Sequence, residues 1–132
     1  MTSLPIIPAT EKDLFKVVAI VRQIVAKEPG FAKAWVVFTF SGGTPTISAS
    51  LNVTSLTDNG TGDTTINFTV PFANANYTFS GASMKTTSVA GVLYGPFGAA
   101  PTTTAFRVAS IDQSSGLLND NTYNYAVFFG AQ

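Results

Sequence analysis

Four aspartates are the residues of this chain whose type and spacing could do chemistry. Asp58 and Asp63 flank one predicted turn, and Asp112 and Asp120 flank another. Glycoside hydrolysis uses two carboxyl groups about 5–9.5 Å apart, and two turns at the same end of a β-sandwich could supply such a pair. Asp also favours turns because its side chain bonds the local backbone. We favour this second, structural interpretation.

The run from Asp58 to Asp63 could also suggest a calcium loop. Calcium takes six to eight oxygen ligands, usually from several carboxylates with a Glu that closes the set. This run, Asp-Asn-Gly-Thr-Gly-Asp, has two carboxylates and no closing Glu. A hairpin turn around its Asn-Gly pair is therefore the preferred interpretation. We predict no catalytic residue, no metal site and no cofactor.

The composition narrows the function classes further. The 132 residues include no Cys and no His, which excludes thiolate nucleophiles, imidazole bases and metal sites built on these ligands. Net charge is zero, which argues against nucleic acid as a partner. No stretch reaches the roughly 20 apolar residues of a membrane span, and Met1 does not open a signal peptide, so we expect no membrane insertion. Charged residues make up only 11% of the chain, and a neutral, charge-poor surface favours self-association.

The few charges are unevenly distributed, and this predicts two parts. Residues 1–33 carry eight charged side chains, whereas residues 34–132 carry six. We therefore predict an N-terminal arm and amphipathic helix over residues 1–32, which anchor or oligomerise the chain. A β-domain follows over residues 33–132.

The first part is predicted to be an extended arm followed by one short helix. Two prolines between Leu4 and Pro8 favour an extended arm. Thr10 and Asp13 have the spacing of a capping box, and Pro29-Gly30 ends the helix. An apolar stripe follows the helical period at Leu14, Val18, Val21 and Val25, and it is widened by Phe15, Val17, Ile20 and Ile24. The stripe either packs on its own domain or forms a short parallel bundle between subunits.

The second part is predicted to be mainly β, as an antiparallel β-sandwich or open barrel of about seven strands. Predicted strands cover residues 33–40, 46–57, 63–70, 76–84, 103–111 and 121–129, and a further strand within 85–101 is harder to place. Residues 46–57 and 63–70 are predicted to form one hairpin. Within residues 46–54 the apolar positions alternate with polar ones, which predicts that they share one face.

Aromatic residues offer the remaining binding hypothesis. Trp35, Tyr77, Tyr123 and Tyr125 lie in strand-like runs and are predicted to be in the core or in a subunit interface. Tyr94 and Phe97 lie among Gly and Pro and are predicted to form a loop. Such a loop is a candidate receptor contact, because specificity is commonly carried by loops on a rigid scaffold.

Several segments of the β-domain resemble a known family. Lys-Ala-Trp-Val at 33–36, the run from Ile47 to Asp63 with its Thr-Asp-Asn-Gly-Thr-Gly-Asp, Ile-Asn-Phe-Thr at 66–69 and the segment 73–77 form a series that is similar to virion proteins of tailed bacteriophages. The ending, 107–112 and 116–128, resembles the last strand of the same tail-fibre-like family. The chain departs from the pattern at 37–40, at 91–101 and at Tyr125.

The resemblance implies a function in assembly and adhesion. It implies a non-enzymatic structural protein of the virion, assembled in the host cytoplasm, that forms a trimeric fibre, spike or decoration. Its expected partners are two copies of itself, other virion proteins through the N-terminal arm, and a glycan or protein of the host surface. The alternatives are a monomeric carbohydrate-binding β-sandwich module and an enzyme that acts on glycans through its Asp pairs.

Overall fold

The computed structural model describes residues 10–132, and the predicted arm Leu4–Pro8 lies outside them. The prediction of a mainly β chain with one short helix is confirmed. The structure contains eight strands where about seven were predicted. The elements are α1 (Glu11–Lys27), β1 (Ala32–Ser41), β2 (Thr44–Leu51), β3 (Val53–Gly60), β4 (Asp63–Phe68), β5 (Thr78–Thr86), β6 (Val89–Tyr94), β7 (Ala105–Asp112) and β8 (Tyr123–Phe129).

The eight strands form one antiparallel sheet that curls until it is nearly closed. Their order is β2-β1-β8-β5-β6-β7-β4-β3, so β2 and β3 are the two edges although they are neighbours in sequence. The curled sheet has one inner and one outer face. This agrees with the predicted sandwich or open barrel.

Asn52 breaks the predicted single strand at 46–54 into the two edge strands. Its φ is 56°, a left-handed conformation in which Asn is among the few tolerated non-glycine residues. The side chain secures the corner, because Oδ1 accepts a hydrogen bond from the Val70 amide at 2.6 Å and Nδ2 donates to the Val70 carbonyl at 3.0 Å. The predicted hairpin of 46–57 with 63–70 is therefore wrong in its first arm. β3 pairs with β4, while β2 pairs with β1.

A β-bulge at Ser48 divides the apolar residues that were predicted to share a face. Val37 lies opposite Ala49, but the next residue, Phe38, lies opposite Ile47. The extra residue reverses the alternation. Ile47 consequently packs against the core, whereas Ala49 and Leu51 are exposed on the outer face.

The inner face is filled mainly by phenylalanine. Phe38 and Phe128 are completely buried, and the ring of Phe128 lies 5.0 Å from Phe68 and 5.2 Å from Phe106, both edge to face. This geometry suits the electrostatics of aromatic rings. The full core consists of Ala34, Val36, Phe38, Val53, Ile66, Phe68, Phe72, Leu93, Phe106, Val108, Ala126 and Phe128.

Tyr77 closes one end of this core. Its ring stacks on Phe72 with 4.3 Å between centroids, and its hydroxyl lies 2.9 Å from the Thr102 carbonyl and 3.1 Å from the Ala105 carbonyl. Burial raises the pKa of Tyr77 to about 12. Tyr77 is thus a structural residue, as predicted for an aromatic in a strand-like run.

A network of buried amides fills another part of the interior. Asn121 Nδ2 donates to Ser83 Oγ and to the Ile111 carbonyl, each at 2.8 Å, and Ser83 Oγ donates to Asn124 Oδ1 at 2.8 Å. Asn121 and Asn124 are completely buried. Gly91 is required beside them, because a Cβ at this position would lie 2.1 Å from Asn121 Nδ2.

Candidate interaction surfaces

Helix α1 presents its apolar stripe to solvent. Thr10 and Asp13 form the predicted capping box, in which Thr10 Oγ1 accepts from the Asp13 amide at 3.2 Å. No residue of the helix is buried, and its eight large apolar side chains are between 40% and 68% exposed. They are Leu14, Phe15, Val17, Val18, Ile20, Val21, Ile24 and Val25. The hypothesis that the stripe packs on its own domain is therefore wrong, and the bundle between subunits stays a prediction.

Polar contacts at its C-terminal end tie the exposed helix to the sheet. The Lys33 ammonium group donates to the Glu28 carbonyl and, at 2.9 Å, to the Phe31 carbonyl. The Gln132 amide donates to the Ala26 carbonyl at 2.7 Å. A cation at the C-terminus of a helix also complements the helix dipole. Lys33, the charged residue of β1, therefore stabilises the connection between the helix and the sheet.

The outer face of four adjacent strands carries two rows of uncharged side chains, which we call the apolar face. The strand register places Leu51, Trp35, Val127 and Ser80 in one row and Ala49, Val37, Tyr125 and Ala82 in the next. Seven of these eight side chains are aliphatic or aromatic, and the eighth is Ser80. The apolar face includes two residues that only the bulge at Ser48 brings to the outside.

A groove of about 300 Å³ runs along the apolar face between the large and the small side chains. Trp35, Val37, Tyr125 and Val127 form its walls, and Ser80 and Ala82 leave the space on the β5 side. Trp35 and Tyr125 were predicted to lie in the core or in a subunit interface. Both lie on the outer face of the sheet, so the core is excluded and the subunit interface stays a prediction.

The outer face of β3, β4 and β7 is polar, and we call it the polar face. Asn67 Nδ2 donates to Ser55 Oγ at 3.1 Å and to Thr57 Oγ1 at 3.0 Å. Asn59 Nδ2 donates to Thr65 Oγ1 at 2.8 Å. These cross-strand contacts satisfy the polar groups within the chain itself.

An ion pair anchors the polar face to the predicted receptor loop. Arg107 binds Asp63 through two hydrogen bonds, Nε to Oδ1 at 2.7 Å and NH2 to Oδ2 at 2.5 Å. The Arg107 hydrogen bond holds the pKa of Asp63 below its ordinary value, although burial of the carboxyl opposes this. The guanidinium also lies 5.8 Å from the ring centroid of Phe97.

The prediction that both Tyr94 and Phe97 lie in a loop is wrong for Tyr94, which is the last residue of β6, whereas Phe97 lies in the loop after it. The two aromatic rings are nevertheless in contact. Their centroids are 5.7 Å apart with an interplanar angle of 84°. Phe97 is half-buried between Tyr94 and Arg107, whereas Tyr94 is exposed. Contacts with Tyr94 and Arg107 therefore hold Phe97 in place, and the ring of Tyr94 is the more exposed of the two.

The structure brings the two aspartate-bearing turns together but gives each carboxyl a structural partner. Asp120 Oδ1 accepts from the Gly62 amide at 2.6 Å, which joins the two turns, and Asp58 Oδ1 accepts from the Gly60 amide at 3.0 Å. Asp112 forms a salt bridge of 2.6 Å with Lys85. The Lys85 and Ser114 hydrogen bonds lower the pKa of Asp112 well below its usual range. Lowered pKa values disfavour a general acid, which must carry a proton near neutral pH.

Residues 10–132 contain neither a metal-binding cluster nor a helix that could cross a membrane. This part of the chain holds no cluster of three or more His, Cys, Asp or Glu side chains that could bind a metal ion. Its helix also falls short of the length and apolarity that a membrane crossing requires.

Comparisons with known proteins give no relative for this chain. Neither a protein-family model, nor a curated protein, nor a solved structure matches it. The resemblance to bacteriophage virion proteins therefore remains an expectation from the sequence.

The apolar face was not predicted from the sequence as one surface. The alternation of Tyr123, Tyr125, Val127 and Phe129 on one side of a strand was a usable signal, but it did not distinguish the inner from the outer face. The structure shows which side faces outward, because Asn124, Ala126 and Phe128 on the opposite side of β8 are buried. The contribution of Ala49 and Leu51 depends on a bulge, for which residues 46–51 give no turn signal.

Proposed function

We propose that this chain is a non-enzymatic structural protein of a bacteriophage virion, which forms a homotrimeric fibre, spike or decoration. The observation that carries the self-association is helix α1, whose eight large apolar side chains are all exposed in the single chain. A helix of 17 residues is marginal in water unless its apolar side is covered. Covering it requires a partner.

A second copy of the same chain is the partner that the helix chemistry favours. Leu14, Val18, Val21 and Val25 follow the four-three-four spacing of a coiled-coil seam. Val17 and Ile24 widen this seam beyond the two apolar positions per heptad of a two-stranded coil. A wider seam is covered better by two neighbours than by one, which supports a trimer.

The exposed surface also exceeds that of a compact monomer. A folded chain of 13.8 kDa is expected to expose about 6,600 Å². This chain exposes 7987 Å². The excess of about 1,400 Å² is larger than the roughly 800 Å² that each partner contributes to a standard interface. Area of this size supports association rather than a free monomer.

The virion role combines this self-association with the sequence resemblance. The helix and the arm before it connect the trimer to other virion proteins, and the β-domain projects outward. Tyr94 at the end of β6 and Phe97 in the loop after it contact a glycan or protein of the host surface. Three copies on one particle component allow weak single contacts to give firm attachment. No step of this function requires chemistry from the aspartates.

Light scattering on the purified chain tests the trimer. A mass three times 13.8 kDa, about 41 kDa, is expected. The double variant Val18→Glu/Val25→Glu should reduce the mass to that of one chain. Ala19→Glu, on the other side of the helix, is the matched control and should remain trimeric. Labelling of intact bacteriophage particles with an antibody against the chain tests the virion role. Virions that the antibody does not label would contradict it.

A monomeric mass would favour the alternative, a carbohydrate-binding module. The exposed ring of Tyr94, supported edge-on by Phe97, is the feature that could stack on a sugar in that case. Binding of the monomer to a glycan array, lost in Tyr94→Ala, would support this alternative.

A further inference from the structure

The apolar face is a second surface without a partner, and it lies close to the helix in the chain. Only residues 28–31 separate the end of α1 from the start of β1. Four residues span at most about 14 Å when fully extended. The Lys33 and Gln132 hydrogen bonds shorten this joint further. Helices that meet at a common axis must therefore bring their β1 strands close to the same axis.

We infer that the apolar face is the interface through which the β-domains of neighbouring copies pack against one another. This inference rests on the proposed trimer and adds a second contact surface to that of the helix. Trp35 and Val37 on β1 lie at its centre, with β2 on one side and β8 on the other.

Chemistry supports a copy of this chain as the occupant. The two rows of the face contain no charged residue, so they offer nothing that would select a charged partner such as nucleic acid or an acidic peptide. Large side chains at Trp35, Val37 and Tyr125 stand beside small ones at Ser80 and Ala82, and a groove of about 300 Å³ lies between them. A neighbouring copy supplies both ridges and grooves of this size, which is what close packing requires.

The bulge at Ser48 supports the same conclusion. Without it, Ala49 and Leu51 would follow Ile47 to the inner face. With it, Leu51 lies opposite Trp35 on the outer face and is 48% exposed. Bulges re-aim side chains, and this one extends the apolar face onto β2, its fourth strand. The single chain gains no burial from that arrangement, whereas an assembly does.

A matched pair of leucines tests the inference in the full chain. Leu51 lies on the apolar face and Leu117 on the loop after β7, and both are exposed, Leu117 to 69%. Leu51→Glu should weaken the trimer by about tenfold or more in dissociation constant, because a carboxylate would be buried without a partner. Leu117→Glu should leave the dissociation constant unchanged. Tyr125→Glu is a second variant on the face with the same expected effect as Leu51→Glu.

The only tryptophan of the chain gives an independent readout, because Trp35 lies on the face itself. Dissociation of the trimer by dilution, or by the helix variant Val18→Glu/Val25→Glu, should shift Trp35 emission to longer wavelength and increase its quenching by acrylamide. Circular dichroism checks that each variant remains folded.

The outcomes separate the inference from the proposed function. A trimeric parent chain that Leu51→Glu and Tyr125→Glu do not weaken, or whose Trp35 emission is the same in trimer and monomer, overturns the inference alone. A parent chain that is monomeric at all concentrations overturns the trimer and the inference together. Association into a different number of copies that Leu51→Glu abolishes supports the face and corrects the number.

Discussion

The apolar face and the polar face are two parts of the outer face of the same sheet, and they differ in how their side chains are satisfied. On the polar face, Asn67, Asn59 and Arg107 bond partners within the chain. On the apolar face, Leu51 and Tyr125 are exposed and Trp35 is half-buried. A face that completes its own hydrogen bonds is suited to water, whereas an uncharged and uncovered face is suited to another protein surface. Substitutions on the polar face should therefore change folding, and those on the apolar face should change association.

The largest effect is expected at Asn52, where the two faces meet between the edge strands. Asn52→Ala should lower the free energy of unfolding by about 3 kcal/mol, because it combines a strained positive φ with the loss of two hydrogen bonds. Chemical denaturation at a fixed protein concentration measures this. Asn52→Gly, which tolerates the φ and loses only the hydrogen bonds, should cost about half as much. Equal effects of the two variants would show that φ contributes nothing.

A smaller effect is expected from the ion pair of the polar face. Arg107→Met should lower the free energy of unfolding by less than Asn52→Ala does, because Asp63, which is only 8% exposed, would lose its charged partner. The solvent exposure of Arg107 keeps this below the value for a fully buried pair. Arg107→Lys retains the charge without the bidentate geometry and should be intermediate. A trimer weakened by Arg107→Met while the fold stays unchanged would break the distinction between the faces.

Acid should affect folding through the carboxyls of Asp63 and Asp112. Both have pKa values lowered in the folded chain, so their contribution to stability is present above the unfolded pKa of about 3.8 and is lost as the pH falls through the folded values. Urea denaturation from pH 7 down to pH 2 should show this loss only below about pH 4. Asp63→Asn should flatten that part of the profile. The apolar face has no titratable carboxyl, so the dissociation constant of the trimer should stay constant between pH 8 and pH 5.

The smallest effect on folding is expected from the apolar face. Tyr125→Ser should change the unfolding of the monomeric helix variant Val18→Glu/Val25→Glu by less than about 0.5 kcal/mol, because the Tyr125 ring is already half exposed there. Denaturation of the monomer with and without this substitution gives the value. A loss above 1 kcal/mol would mean that Tyr125 supports its own domain and would remove the contrast between the faces.

Local patterns in the sequence were sufficient for elements that depend on local interactions. The capping box at Thr10, the end of α1 before Pro29-Gly30 and the alternating β8 strand are all determined by neighbouring residues. The corner at Asn52 and the bulge at Ser48 were missed, because both depend on partners far along the chain, such as Val70 and Val37. The same reason explains why Asp63 was judged a simple turn residue, although Arg107, 44 positions later, binds it.

Two of the candidate surfaces were predicted from the sequence, namely the apolar stripe of α1 and the receptor contact at Tyr94 and Phe97. The sequence did not predict the apolar face, because membership of that face requires the register of four strands. Trp35 and Tyr125 lie in strand-like runs of the sequence, as the core aromatic Tyr77 does, so the sequence does not distinguish them. Only the curl of the sheet decides which side of each strand faces outward.

The position of β1 in the sheet determines how the domain would respond to force. α1 leads through residues 28–31 into β1, which pairs with β8 over residues 32–38 and with β2 over residues 35–41. A pull on the helix along the direction of β1 would load both ladders of hydrogen bonds at once, in shear, instead of peeling an edge strand one bond at a time. A force applied through α1 would therefore reach the sheet at an internal strand, where two ladders of hydrogen bonds resist it together.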